Sequence, residues 1–134
     1  MKRISILILL FGLLSTILFT GCSGRGQADE IQGPAPKEAY LKYYDAIRKG
    51  DFTGAQEYIA RSRLIDLDKK GDVDQLLMEA AAEMGDDLEI TGEHKIGKDL
   101  VITADCTVRD LPATGEIRFT LERDRWKIVN ESWE

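Results

Sequence analysis

The hydropathy of this chain changes its period once, near Asp86, and that change limits the fold more than any other feature. From there Leu88, Ile90, Gly92, His94 and Ile96 alternate with Glu89, Thr91, Glu93 and Lys95, the period-two pattern of a half-buried strand. Gly97-Lys98-Asp99 turns into a second run, Leu100 to Val108. A loop from Arg109 to Gly115, with Pro112 in it, leads to Ile117–Leu121, and Arg123-Asp124 turns into Trp126–Val129. Four successive strands with short connections predict an antiparallel meander. Alternation also assigns faces. It puts His94 inward with Ile90 and Ile96, Cys106 with Ile102 and Ala104, and Trp126 under the sheet with Ile128. It sets Lys127, Val129, Glu131 and Trp133 on the opposite face.

Before Asp86 the spacing is helical. Pro36 suits a first turn, and Tyr40, Tyr43, Tyr44 and Ile47 follow at helical intervals up to Gly50. Asp51 is placed to cap a short helix carrying Phe52, Ala55, Tyr58 and Ile59. Asp72, with Gln75 three residues on, opens another that runs through Val73, Leu76, Leu77, Ala80, Ala81 and Met84 to Gly85. Between them Arg61–Lys70 either extends the second helix or connects under the core. Helices first and sheet after is the order of an α+β domain with its helices gathered on one sheet face.

Three short helices, a Lys-Gly-Asp-Phe junction (Lys49 to Phe52) before an Ala-x-x-Tyr step (Ala55 to Tyr58), and a sheet ending in Asp-Arg-Trp-Lys-Ile (Asp124 to Ile128) together resemble the nuclear transport factor 2-like, or cystatin-like, superfamily. The resemblance covers residues 36–134. It implies a cone in which a strongly curved four-stranded sheet wraps a long first helix around a pocket. Relatives with such pockets include isomerases, hydrolases and domains with no chemistry, so the fold by itself selects no function.

The opening residues have a different character. Lys2 and Arg3 precede an uncharged apolar run from Ile4 to Thr20, which closes on Leu18-Phe19-Thr20-Gly21-Cys22. This is similar to a bacterial lipoprotein signal peptide, which implies cleavage before Cys22 and lipidation of its thiol. Residues 1–21 are then the signal, 22–35 a lipidated cysteine and a Gly- and Pro-containing tether, and 36–134 the domain. The expected address is the bacterial cell envelope. The outer membrane is favoured in a host with two membranes, since Ser23 offers no aspartate retention signal. Losing the two positive charges of residues 1–21, Lys2 and Arg3, and no negative ones moves the net charge from −6 to −8. That balance argues against nucleic acid and against anionic headgroups as partners, since both reward clustered cations.

Little in the sequence carries chemistry. One histidine and one thiol beyond Cys22 cannot supply a metal-ligand cluster, and no phosphate-cradling or nucleophile motif occurs, so no metal or cofactor is expected. Cys106 reads as a buried small hydrophobe. The expected pocket residues are Tyr40, Tyr44 and His94, and no catalytic residue is assigned. Val129 and Trp133 are the expected interface, for an unknown partner or for a homodimer through the sheet face. The function expected is a membrane-anchored, non-enzymatic module that binds a protein or small ligand. The alternative is an enzyme of the ketosteroid-isomerase kind with its pocket around His94.

Overall fold

The computed structural model describes residues 31–134; the expected signal peptide and Cys22, where lipidation is expected, lie outside that range. Four helices precede four strands: α1 Pro36–Arg48, α2 Phe52–Gln56, α3 Arg61–Asp68, α4 Val73–Glu83, β1 Glu89–Ile96, β2 Asp99–Val108, β3 Leu111–Glu122 and β4 Arg125–Trp133. The strands form one sheet in the order β1-β2-β3-β4, every pair antiparallel. The domain is α+β, as the change of period requires.

Local chemistry accounts for the helix ends. Pro36 opens α1, Asp51 caps α2 by accepting from the Gly54 N–H at 2.9 Å, and Asp72 caps α4 by accepting from the Gln75 N–H at 2.9 Å. The Gln75 side chain donates to Glu79 at 3.2 Å instead of reaching back, so half of the capping box forms. Arg61–Lys70 neither extends α2 nor runs under the core. It contains α3, a separate helix with no fully buried residue.

Ala39, Tyr40, Tyr43 and Ile47 form the buried stripe of α1. They pack with Leu77 of α4 on one sheet face made by Leu100, Ile102 and Ala104 of β2, Ile117 and Phe119 of β3 and Ile128 of β4. Each leucine, isoleucine or phenylalanine among them, fully removed from water, contributes about 1.5–3 kcal/mol. The opposite face is polar, with Asp105, Glu116, Arg118, Asn130 and Ser132 exposed. Val101 is the exception, buried between its cross-strand neighbours His94 and Arg118. Trp126 lies on the inner face, only partly buried at the margin of the core, where full burial was expected.

The loop expected from Arg109 to Gly115 is a two-residue turn. Arg109 and Asp110 take φ of 51° and 66°, the left-handed pair that matches the twist of a hairpin, and β3 starts at Leu111. Pro112 is tolerated in the strand because its missing N–H would face the β4 side. There the partner strand has ended, with Glu134 bonding Thr114. The free edge of β4 is covered at Ile128, which exchanges backbone bonds with Tyr58 and Ala60 at 2.8 and 2.9 Å.

Two strands carry an extra residue. In β1, Ile90 pairs with Ala104 and Gly92 with Thr103, leaving Thr91 unmatched. In β4, Ile128 pairs with Phe119 and Asn130 with Arg118, leaving Val129 unmatched. A bulge of this kind inverts the alternation for every residue beyond it.

Candidate functional site

The bulge at Val129 turns Glu131 and Trp133 to the inner face, beside Ile117 and Gly115 of β3. The Glu131 side chain is only 9 % exposed there, a costly place for a carboxylate without partners. It has four. Tyr40 donates to Oε1 at 2.7 Å, Tyr43 to Oε2 at 3.4 Å, the Trp133 indole N–H to Oε1 at 3.1 Å, and Arg63 of α3 pairs with Oε2 at 3.4 Å. Burial, reinforced by the neighbouring Glu131 charge, pushes both phenols well above the usual tyrosine range. They stay protonated and donate to the carboxylate. Two oxygens offer about four acceptor positions, so the carboxylate is saturated by the protein itself. Arg63 keeps one terminal nitrogen, Nη1, buried without an acceptor.

Above this knot a cleft of about 580 Å³ opens between the C-terminal end of α4, the β2–β3 turn and the end of β4. Met84, Cys106, Leu111, Ala113 and Trp133 give it mostly apolar walls, and Glu131 and Arg63 reach its lining. Close packing makes the walls. At Gly115 an added Cβ would meet the Trp133 ring at 2.6 Å, and at Gly85 it would meet the Thr107 carbonyl oxygen at 2.5 Å. Only glycine lets the indole lie on β3 and the end of α4 approach β2. The Gly85 carbonyl in turn accepts from the Tyr44 hydroxyl and, at 2.9 Å, from Arg48, whose guanidinium stands 5.6 Å from the centre of the Tyr44 ring. At the rim Arg109 and Glu83 pair at 3.5 Å, both mostly exposed. The Cys106 thiol is raised in pKa by burial, the condition of a wall side chain and not of a nucleophile.

The residues expected at the site divide sharply. Tyr44 lines the cleft, while Tyr40 is wholly buried beneath it and reaches it through Glu131. His94 belongs to neither. The bulge at Thr91 turns it to the outer face opposite Val101, where it is exposed, so the expected inward histidine is corrected. Trp133, expected on the far face with Val129 as an interface, is a partly buried cleft wall, and Val129 is the partly buried bulge residue itself. Glu131 and Arg63 are the additions. The sequence signal for Glu131 lies in neighbours no single strand shows: Gly115 opposite Trp133, and two tyrosines a helical turn apart below.

No known protein family's sequence profile matches the chain. No curated protein is significantly similar to it. Among solved structures, a SEC-C motif containing protein from Rhodopseudomonas palustris is similar over 73 % of this chain and 77 % of its own, with 16 % identity and a TM-score of 0.57. A proposed nuclear transport factor 2-like transpeptidase from Campylobacter jejuni is similar over 72 % of this chain and 99 % of its own, with 15 % identity and a TM-score of 0.52. A protein with a cystatin-like fold from Silicibacter pomeroyi covers 76 % of this chain and 77 % of its own at 17 % identity, with a TM-score of 0.43. At 16 % and 15 % identity the first two likenesses are of fold alone: helices packed on an antiparallel sheet, in the second case the arrangement of a nuclear transport factor 2-like protein.

Proposed function

We propose that this chain is a binding module of the bacterial envelope, held to a membrane by lipid on Cys22, that takes an apolar small molecule or an apolar side chain of a protein partner into the cleft beside Trp133. One observation carries the binding part of this reading. The titratable group at the cleft floor, Glu131, is already saturated by Tyr40, Tyr43, Trp133 and Arg63. A general base must be free to reach a substrate proton at hydrogen-bond range. Besides the unpartnered Arg63 Nη1, what remains open to a ligand is mostly shape and apolar wall, and about 580 Å³ is within the range of small-molecule sites. The isomerase-like alternative needs His94 in a pocket beside an acid, and the exposed outer-face position of His94 lends it no support.

Titration with the apolar fluorophore anilinonaphthalene sulfonate tests the cleft. Ala113→Trp, which fills it from the β3 side, is expected to abolish the fluorescence increase while the fold is kept. Equal binding by both proteins would contradict the assignment. The anchor rests on the residues around Cys22: Cys22→Ser is expected to abolish labelling by radioactive palmitate, and a labelled mutant would refute it.

A further inference from the structure

The charge of the chain is net negative, −6, but its cations are not evenly spread. In this meander the β1–β2 and β3–β4 turns lie at one end of the sheet and the β2–β3 turn at the other. The two-turn end presents Lys95, Lys98, Arg123 and Arg125, all exposed, with exposed Glu57 beside the two arginines, whereas Asp99, Glu122 and Asp124 there are partly buried. Glu122 is also engaged, accepting from the Arg61 N–H at 3.2 Å. The same end exposes three large aliphatic side chains, Ile96 at 48 %, Leu121 at 41 % and Ile31 at 47 %. Ile31 is placed there by its neighbour Gln32, whose N–H donates to the Asp124 carbonyl at 2.6 Å. Aliphatic side chains among cations are the composition that settles at the headgroup boundary of an anionic bilayer.

The described residues begin at this end, at Ile31 and Gln32. Nine residues lead from Cys22 to Ile31, so covalent geometry limits their reach to at most ~30 Å. Strand β2 spans ten residues, or roughly 30 Å at 3.3 Å each, so the β2–β3 turn stands a full sheet length farther from the anchor. That far end holds the cleft, between Leu111, Ala113 and Trp133.

We infer that the two-turn end of the sheet is a docking surface for anionic phospholipid headgroups, which fixes the domain with its cleft facing away from the bilayer. The ligand of the cleft then comes from the aqueous side and not out of the membrane. The inference rests on the lipid-anchor reading above. The overall charge opposes such docking, and its distribution provides for it.

The test uses the full chain from a bacterial host, reconstituted on vesicles of phosphatidylcholine alone or mixed with phosphatidylglycerol. With Cys106→Ala, a fluorophore is attached at Arg125→Cys or at Leu111→Cys and quenched by lipid spin-labelled in its headgroup. On anionic vesicles quenching at position 125 should exceed that at 111 several-fold. Lys98→Glu with Arg123→Glu should bring the ratio down to its value on neutral vesicles. Equal or reversed quenching at the two positions, or a ratio indifferent to charge reversal, would overturn the docking surface alone. A chain that does not join the vesicles would overturn the anchor as well.

Discussion

Strands β1 and β4 contain the same irregularity and put it to opposite uses. Each has one unmatched residue, Thr91 or Val129, and each inverts the faces of the residues beyond it. In β1 the inversion sends His94 out to solvent and leaves Glu93 and Lys95 on the inner side, where they remain exposed. No helix covers that half of the strand, so the inward charges lose no water. In β4 the inversion brings Glu131 and Trp133 over α1, where the carboxylate finds four donors. A bulge therefore matters according to what lies above it: on an uncovered edge it redirects surface, and on a covered one it builds a site.

If that contrast holds, the largest effect belongs to Glu131. Glu131→Leu leaves the Arg63 guanidinium, two phenols and an indole without their acceptor, and should cost ~3–5 kcal/mol in urea denaturation, the range for breaking a buried ion pair. High pH attacks the same knot from its donors. The folded pKa values of Tyr40 and Tyr43 are raised, so their contribution is complete below the unfolded value of about 10. It is lost as pH rises through the folded values, at ~1.4 kcal/mol per pH unit for each tyrosine. A stability profile flat from pH 10 to 11 would contradict this. Next is Gly115→Ala, whose Cβ runs into the Trp133 ring and should cost ~1–3 kcal/mol. The matched change in β1, Gly92→Ala, meets the Thr103 hydroxyl at 2.6 Å, which can swing toward solvent, and should cost less. Smallest is His94→Gln, expected within ~0.5 kcal/mol of the parent as for a surface position. A larger loss would mean that the two strands are more alike than described.

Much of this architecture was legible in the residues. Asp51 and Asp72 announce their caps, the α1 stripe announces its burial, and four alternating runs announce the meander. What alternation could not show was where it slips, because a bulge is set by pairing with another strand and leaves a local sequence such as Ile90-Thr91-Gly92 or Ile128-Val129-Asn130 unremarkable. The β2–β3 turn was hidden for a related reason: Arg109-Asp110 adopts a left-handed conformation without glycine, and Pro112 and Gly115, which read as loop, are strand residues fitted to a missing neighbour and an overlying indole. Arg63 sits in the one segment whose periodicity was ambiguous, and only the tertiary fold brings it to Glu131. Of the site, the sequence thus offered Tyr40 and Tyr44 but not the carboxylate that joins the helix to the cleft.

A double-mutant cycle on Tyr40 and Glu131 addresses the central claim most directly, because the two meet only if the Val129 bulge turns Glu131 inward. Tyr40→Phe and Glu131→Leu, alone and together, should show a coupling of ~1.5–3 kcal/mol in urea denaturation, the value of a hydrogen bond to a charged group. Additivity within ~0.3–0.5 kcal/mol would place Glu131 on the outer face with the polar residues, and would remove the saturated carboxylate from the floor of the cleft.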